Sequence, residues 1–199
     1  MPSKKPAFSL CVYCGSRHGN NPVFTQVARE VGHWIGTHGG QLVYGGGRNG
    51  LMGEVAQATL EAGGTVVGII PKALQEREWA HDGCTELHIV PGMHERKRLF
   101  TDLADGFLTL PGGVGTMDEL WEAISWAQLG YHSKPVGLLN AAGFYNGLLE
   151  FNAHMISVGF IRPQHKDILI ADDDLDRLLA RMADHVPHQT ILAMKVDDL

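Results

Sequence analysis

The chain has few cysteines and no long apolar run, and both absences narrow what it can be. Its three cysteines are an odd number in 199 residues, so a disulfide framework is not expected and a reducing cytoplasm is the expected location. No apolar run approaches the roughly 20 residues that a membrane-spanning helix needs. The basic start of the chain, residues 1–5, is not followed by an apolar core long enough for a secretion signal.

Positive charge is also scarce, because 16 lysines and arginines stand against 22 aspartates and glutamates, a net charge of −6. This balance, without a basic stripe, argues against a nucleic-acid-binding surface. It does not exclude a small anionic ligand, which backbone N–H groups and one or two cations can hold. The eleven histidines match no metal-ligand spacing, and H-E-x-x-H is absent. We therefore expect no nucleic-acid partner, no membrane partner and no metal.

Glycine, in contrast, is abundant, and 25 glycines are too many for a helical bundle. Short runs rich in Val, Ile and Leu alternate with helical patterns, which is typical of βαβ units. The predicted strands are residues 10–13, 41–44, 65–70, 87–90, 106–110, 136–139 and 168–171. The predicted helices are residues 23–37, 51–62, 93–104, 116–128, 144–158 and 175–184. The sequence predicts one α/β domain over residues 1–186, a doubly wound parallel sheet, followed by a flexible tail over 187–199.

The most informative stretch is the glycine-rich turn over residues 110–119, L-P-G-G-V-G-T-M-D-E. It joins a predicted buried strand to a predicted helix, and its three glycines let the backbone turn sharply and approach a ligand closely. The start of the helix then presents unpaired N–H groups and its positive dipole end, which favour a phosphate. Glu119 adds a carboxylate within one helical turn. Phosphate binding alone does not require that carboxylate, although the helix dipole also favours acids there.

Two other strand-to-helix turns carry small residues. They contain Gly15 and Ser16 after the first strand, and Gly46 and Gly47 after the second. Because ligands of parallel sheets bind at the carboxyl ends of the strands, we expect all three turns to line one crevice. The second turn also fits the G-x-G-x-x-G spacing, but the next strand ends in I-I-P-K without the acid that holds a dinucleotide ribose. An NAD or FAD site is therefore disfavoured.

Arg96 is a cation on the apolar side of the predicted helix over residues 93–104. At about 100° per residue it lies within a stripe that includes Leu99, Phe100 and Leu103. A guanidinium there must find an anion or several acceptors, because burying it unpaired is very costly. A structural ion pair or a snorkelling side chain would satisfy it as well as a ligand. Its place beside the phosphate-type turn favours the ligand.

Four motifs, considered together, point to one enzyme family. They are V-Y-C-G-S at residues 12–16, Y-G-G-G at 44–47 with G-L-M-G at 50–53, M-H-E-R-K at 93–97 and P-G-G-V-G-T-M-D-E at 111–119. With these motifs the chain resembles the LOG (Lonely Guy) family, the cytokinin riboside 5′-monophosphate phosphoribohydrolases, often mislabelled lysine decarboxylases. The resemblance implies a Rossmann-like fold, a homodimer with sites near the interface, and no cofactor. It also implies hydrolysis of AMP or N6-prenylated AMP to free base and ribose 5-phosphate.

The same resemblance implies roles for individual residues. Arg96 and Glu119 are the implied catalytic pair, with Glu119 stabilising positive charge on the ribose and activating water. The implied substrate-binding residues are Gly112, Gly113, Gly115 and Thr116 at the phosphate, Lys97 and Asp118 near the ribose phosphate, and Glu78 as a further contact.

Two other functions stay open at this point. A non-catalytic nucleotide or cofactor carrier of related fold would use the same turns, since glycine turns bind phosphates without chemistry. A pyridoxal-phosphate decarboxylase would need a Schiff-base lysine in the site, and no lysine stands in a recognisable setting for that role. The combination of Arg96 with Glu119 favours the hydrolase, because binding alone does not need it.

Overall fold

The computed structural model describes residues 5–75 and 80–193, in which strands and helices alternate. The strands are β1 (Ser9–Tyr13), β2 (Gln41–Tyr44), β3 (Thr65–Pro71), β4 (Glu86–Val90), β5 (Gly106–Thr109), β6 (Val136–Leu139) and β7 (Leu169–Asp172). The helices are α1 (Pro22–Thr37), α2 (Gly50–Glu61), α3 (Lys72–Gln75), α4 (Met93–Leu103), α5 (Val114–Leu129), α6 (Asn146–Ser157) and α7 (Leu175–Ala183). Short 3₁₀ turns lie at Ala141–Gly143, Pro163–His165 and Ile191–Ala193.

These seven strands form one parallel sheet in the order β4-β3-β2-β1-β5-β6-β7. The order reverses at β1, where Leu10 pairs with Leu42 of β2 on one side and with Gly106 of β5 on the other. The doubly wound, Rossmann-like α/β fold predicted from the sequence is therefore confirmed. The reversal creates a topological switch point at the carboxyl ends of β1 and β5, which is where such sheets bind ligands.

Helices cover both faces of this sheet. On one face α1, α2 and α7 pack through core residues such as Val31, Val55 and Leu178. On the other face α4 and α5 contribute Phe100 and Leu120, with α6 packed beside them. Strands buried on both faces need apolar side chains in both directions, which explains their continuous Val, Ile and Leu runs.

The predicted element boundaries agree with the structure to within two residues. α5 begins at Val114, two residues earlier than predicted, because Gly113 is already the N-cap of the helix. The prediction misses α3, whose four residues are too few to show a helical period. In the part of the chain that the structure describes, no helix is long and apolar enough to cross a membrane.

The proposed division of the chain at residue 187 stays a prediction, but the first residues beyond it contact the domain. The Nε2 of His188 donates a hydrogen bond to the carbonyl oxygen of Ala127 at 3.0 Å. The Nε2 of His165 donates one to the carbonyl oxygen of Gln189 at 2.9 Å. The start of the predicted tail is thus attached to the end of α5 and to the loop before β7.

Candidate active site

The three glycine turns meet at the carboxyl edge of the sheet, around the switch point. The Leu110 N–H donates to the carbonyl oxygen of Tyr13 at 2.9 Å, and the Gly15 N–H donates to that of Pro111 at 3.0 Å. These bonds join the turn after β1 to the turn after β5. Together with α4 and α5 the turns enclose a cavity of about 290 Å³, which we call the cleft.

The cleft contains most of the site residues expected from the sequence. Those that line it are Gly15, Ser16, Gly47, Arg96, Gly113, Gly115, Thr116 and Glu119, along with Cys14, Gly45, Met52, Ile70, Leu74 and Val114. The expected residues that do not line it are Gly46, Lys97, Gly112 and Asp118. Glu78 lies outside the residues that the structure describes.

The glycines at the start of α5, Gly112 and Gly113 before the helix and Gly115 in its first turn, have two different roles. A Cβ at Gly112 would overlap the side chain of Thr116, so this position needs a residue without one. A Cβ at Gly113 or Gly115 would meet no atom within 4 Å, because both face open space. Gly113 caps α5 without a side-chain hydrogen bond. The first N–H groups of α5 are therefore available to an anion in the cleft.

Arg96 is anchored by the backbone of the neighbouring strands. Its Nε donates to the carbonyl oxygen of Ile69 at 3.0 Å, and its Nη2 donates to that of Gly45 at 3.1 Å. The guanidinium also lies 5.2 Å from the ring centre of Phe100. Its remaining nitrogen, Nη1, lies 3.6 Å from Glu119 Oε1, and both side chains are about one-tenth exposed. The Arg96 guanidinium is thus held by carbonyl oxygens on one side and faces the Glu119 carboxylate on the other.

Glu119 is a buried carboxyl whose pKa is far from the ordinary value. Burial raises the pKa of Glu119 to about 7. The positive charges of Arg96 and Lys97 oppose this rise, and the negative charges of Asp118 and Glu122 add to it. A carboxyl that gains and loses its proton near neutral pH is suited to acid–base chemistry. The sequence places this carboxyl in the first turns of α5, but only the fold shows its burial.

Lys97 and Asp118 contact each other and not the cleft. Lys97 Nζ lies 2.9 Å from Asp118 Oδ2 and 3.1 Å from Glu122 Oε2. Burial lowers the pKa of Lys97, but the bonds to these two carboxylates raise it more, so the pKa is above its ordinary value. The expected role of Lys97 and Asp118 at a ribose phosphate stays a prediction, because each has a protein partner here.

Sequence reasoning missed two supports of the site. Gly45 must lack a side chain, because a Cβ there would overlap the Arg96 guanidinium. Tyr145 donates its hydroxyl to the carbonyl oxygen of Leu110 at 2.7 Å, which anchors the strand end that leads into the glycine turn. Gly45 could have been suspected as the first glycine of its turn. Tyr145 carries no signal in the sequence, because its partner is 35 residues away.

A second space adjoins the cleft. This side cavity, of about 550 Å³, shares Gly15, Ser16, Gly113 and Val114 with the cleft and is lined further by Phe24 and Phe144. Across residues 5–75 and 80–193, no group of three or more His, Cys, Asp or Glu side chains could hold a metal ion. The site is therefore built from glycine turns, one arginine and one carboxyl.

Comparison with known proteins adds a family to this geometry. A family model described as "Possible lysine decarboxylase" matches residues 52–182. The cytokinin riboside 5′-monophosphate phosphoribohydrolase LOG1 of Arabidopsis thaliana is 42% identical over 186 residues, covering 94% of this chain and 87% of that protein. The phosphoribohydrolase LOG of Oryza sativa subsp. japonica is 44% identical over 182 residues, covering 92% of this chain and 75% of that protein.

Solved structures of similar fold include proteins with other printed functions. The Moco carrier protein from Chlamydomonas reinhardtii has a TM-score of 0.66 at 22% identity, covering 91% of this chain and 97% of that one. The molybdenum cofactor binding protein from Rippkaea orientalis has a TM-score of 0.60 at 22% identity, covering 76% and 86%. At these identities the likeness shows the fold alone.

Proposed function

Because the chain belongs to the LOG (Lonely Guy) family of cytokinin riboside 5′-monophosphate phosphoribohydrolases, we propose that it hydrolyses the N-glycosidic bond of adenosine 5′-monophosphate or an N6-modified form. The products are the free base, adenine or an active cytokinin, and ribose 5-phosphate. One observation carries the proposal: the buried pair of Arg96 and Glu119, 3.6 Å apart, lies beside an open glycine turn. A binding module needs the turn but not the buried carboxyl.

The phosphate of the substrate is proposed to bind at the start of α5. Gly113 and Gly115 leave the space in front of the helix open, and the first N–H groups with the helix dipole favour a dianion. Thr116, which is buried and lines the same cleft, is within the first turn. Binding energy from this non-reacting group would hold the sugar against Glu119, so a nucleoside without the phosphate is expected to react poorly.

Glu119 is proposed to act in its ionised form. As the bond between C1′ and the base nitrogen breaks, the ribose gains oxocarbenium character, which an adjacent carboxylate stabilises. The carboxylate also accepts a proton from the attacking water, whose oxygen bonds C1′. The leaving base takes up a proton from solvent as the C1′–N bond breaks, and Glu119 then returns its proton to solvent. A pKa of about 7 allows Glu119 to be ionised for the attack and to be protonated during it.

Arg96 is proposed to hold Glu119 in the reactive orientation. Its bonds to the carbonyl oxygens of Ile69 and Gly45 fix two of its nitrogens, so Nη1 cannot turn away from the carboxyl. Such a preorganised charge needs no rearrangement during the reaction, which makes it more effective than a mobile one. The guanidinium is also close enough to the cleft to contact the departing base or the sugar phosphate.

The carrier alternative is supported only by the fold. The Moco carrier and the cofactor binding protein are 22% identical to this chain, and related folds host unrelated functions. The relatives at 42–44% identity are phosphoribohydrolases by name. The buried carboxyl and its arginine therefore favour the hydrolase.

A lysine decarboxylase, which the description of the family model names, would need an amine at the site to bind pyridoxal phosphate. Among the described residues, those that line the cleft and the side cavity include no lysine. Lys97, the lysine beside Arg96 in sequence, is held by two carboxylates. These side chains do not fit a Schiff base, so we do not propose that chemistry.

Two further proposals concern the assembly and the location of the protein. We propose a homodimer, as the family resemblance implies. We also propose a cytoplasmic location, which the three free cysteines at positions 11, 14 and 84 favour. The expected partner is a small nucleoside monophosphate.

The proposed reaction is tested by chromatography of free base after incubation with AMP, N6-isopentenyl-AMP and the two corresponding nucleosides. We expect base from the monophosphates, with the nucleosides poor substrates, and a loss of about 10²–10⁴-fold in Glu119→Gln, the range typical of acid–base groups. No base from any substrate with the native protein would overturn the proposal.

Glu54→Gln is the matched control for this experiment. It makes the same change from carboxyl to amide on α2, where Glu54 pairs with Arg29 at 2.6 Å. Because Glu54 lines neither the cleft nor the side cavity, Glu54→Gln is expected to keep native activity. An equal loss in both variants would show that the effect of Glu119→Gln is not specific to the cleft.

A further inference from the structure

A second ion-pair cluster lies one residue along from the catalytic pair on each helix. Arg96 and Glu119 face each other in the cleft, while their neighbours Lys97 and Asp118 face each other outside it. Glu122, one turn further along α5, completes the cluster with a 3.1 Å contact to the same ammonium. We call Lys97, Asp118 and Glu122 the Lys97 bridge.

Part of the Lys97 bridge is more enclosed than an ordinary surface ion pair. The side chain of Lys97 is 13% exposed and that of Glu122 is 24% exposed, whereas Asp118 is on the solvent side and 54% exposed. Enclosed charges interact more strongly than solvated ones, because water screens them less. The bridge also joins α4 to α5 at the level where Arg96 must meet Glu119. The bridge is therefore placed to affect both the position of Glu119 and its ionisation.

We propose that Lys97 is a positioning residue for the proposed hydrolysis, holding α4 and α5 in register and balancing the charge of Asp118 and Glu122 beside Glu119. It does so without touching the substrate. This inference rests on the proposed function, because it assigns a role in the same reaction. It differs from the phosphate contact that the family resemblance implies for Lys97, since the ammonium already contacts the carboxylates of Asp118 and Glu122.

The charges around Glu119 come from both helices. From α4, Arg96 and Lys97 favour the ionised carboxyl and lower its pKa. From α5, Asp118 and Glu122 favour the protonated form and raise it. Removing Lys97 leaves two carboxylates uncompensated, so the pKa of Glu119 should rise. Removing the two carboxylates leaves Lys97 uncompensated, so that pKa should fall.

The first strand and its turn also face Glu119 but add no charge of their own in the assay range. Cys11, Tyr13 and Cys14 are all close enough to interact with the carboxyl. Burial raises the pKa of all three side chains, so they stay neutral between pH 5 and 9. The balance at Glu119 is therefore set across the interface of α4 and α5.

The test compares the pH dependence of kcat/KM for AMP hydrolysis in the native protein, Lys97→Met and Asp118→Asn/Glu122→Gln. We expect the acid limb to move to higher pH in Lys97→Met and to lower pH in the double variant, each by about one pH unit. The substrate phosphate titrates equally in all three, so it cannot produce opposite shifts. Shifts in the same direction, or no shift, would overturn the proposal.

Two further variants separate positioning from other roles. Lys97→Arg keeps the positive charge and should keep the native limb. If Lys97→Met does not fold, the shift of the limb to lower pH in the double variant still tests the proposal. Arg29→Met breaks the Arg29–Glu54 pair between α1 and α2 and should leave the profile unchanged. If Lys97→Met instead raises KM for the monophosphate without moving the limb, Lys97 binds phosphate and the proposal is wrong.

The outcomes also distinguish this inference from the proposed function. No base release by the native protein would remove the hydrolase itself, before any variant is compared. Base release by the native protein, with the limb unmoved in Lys97→Met and the double variant, would remove only the Lys97 assignment.

Discussion

At the scale of single residues, the cleft holds two side chains that folding alone disfavours. A buried carboxyl and a buried guanidinium each lose hydration, and their mutual attraction repays this loss only in part. Arg96 donates hydrogen bonds to two carbonyl oxygens, which replace part of its lost hydration. The contacts of Glu119 do not compensate for its burial, so its pKa is above the ordinary value. Glu119 is therefore held in an unfavourable charge state at neutral pH, as expected for a site that trades stability for reactivity.

This trade predicts that Glu119→Gln stabilises the protein at alkaline pH. The folded-state pKa, about 7, is above the ordinary value of 4.5, so the stabilising contribution of protonated Glu119 is full below pH 4.5. That contribution is lost as the pH rises through 7. At pH 8 the variant should be more stable by on the order of 2 kcal/mol, and this difference should shrink towards pH 5.

Thermal unfolding at pH 5 and pH 8 measures this effect. Glu54→Gln, which removes a carboxyl paired with Arg29, is the control and should show no gain at pH 8. A melting temperature of Glu119→Gln at or below that of the native protein at pH 8 would contradict the assigned protonation behaviour.

The sequence identified both catalytic candidates but could not show what holds them. Arg96 attracted attention because a cation interrupts an apolar stripe, and that local pattern is visible without a structure. Its partners, the carbonyl oxygens of Ile69 and Gly45, are 27 and 51 residues away. Backbone acceptors leave no mark on side-chain patterns, so the alternatives of ligand and structural ion pair could not be separated.

At the scale of elements, the turn before α5 and the first turn of this helix combine one glycine needed for folding with two that leave room for a ligand. Gly112→Ala should destabilise the protein, because the new methyl group would overlap Thr116. Gly115→Ala should fold normally, since nothing lies within 4 Å of its Cβ position. We expect Gly115→Ala to raise KM for AMP about tenfold, because the methyl group enters the proposed phosphate space.

Melting temperatures and Michaelis constants of both variants check this division. Gly147→Ala, also without an atom within 4 Å of its Cβ position, is the control on α6 and should change neither quantity. An unchanged KM in Gly115→Ala would place the phosphate elsewhere.

Most of the elements could be predicted because their periodicity is local. Strands such as β2 and β6 match the predicted residues 41–44 and 136–139, since short Val- and Leu-rich runs between turn residues have few alternatives. The four residues of α3 could not be predicted, because one turn shows no period. The side cavity could not be predicted either, because Phe24 and Phe144 come together only through the packing of α1 against the turn before α6.

At the scale of the whole molecule, the strand order explains why distant turns share one cleft. Residues 15, 45 and 113 meet because β1 lies between β2 and β5. The same scaffold occurs in proteins named for molybdenum cofactor, so the sheet supplies the edge and the side chains supply the chemistry. The proposed function therefore depends on Arg96 and Glu119 and not on the fold.

The family resemblance predicts that two such chains associate. Sedimentation equilibrium at assay concentrations should give twice the 21.7 kDa mass of the chain. A homodimer with sites near its interface should also lose activity on dilution if the dimer dissociates. A mass of one chain under conditions of full activity would contradict this prediction.

The proposed reaction places hydrolysis of the N-glycosidic bond of a nucleoside monophosphate in one cleft, which positions the substrate by binding its phosphate. The most direct measurement is the yield of adenine and ribose 5-phosphate from AMP, in phosphate-free buffer, with adenosine assayed in parallel. We predict equal amounts of the two products and a rate for adenosine at least about 100-fold lower. A lack of adenine, or cleavage of adenosine as fast as AMP, would contradict the proposed reaction.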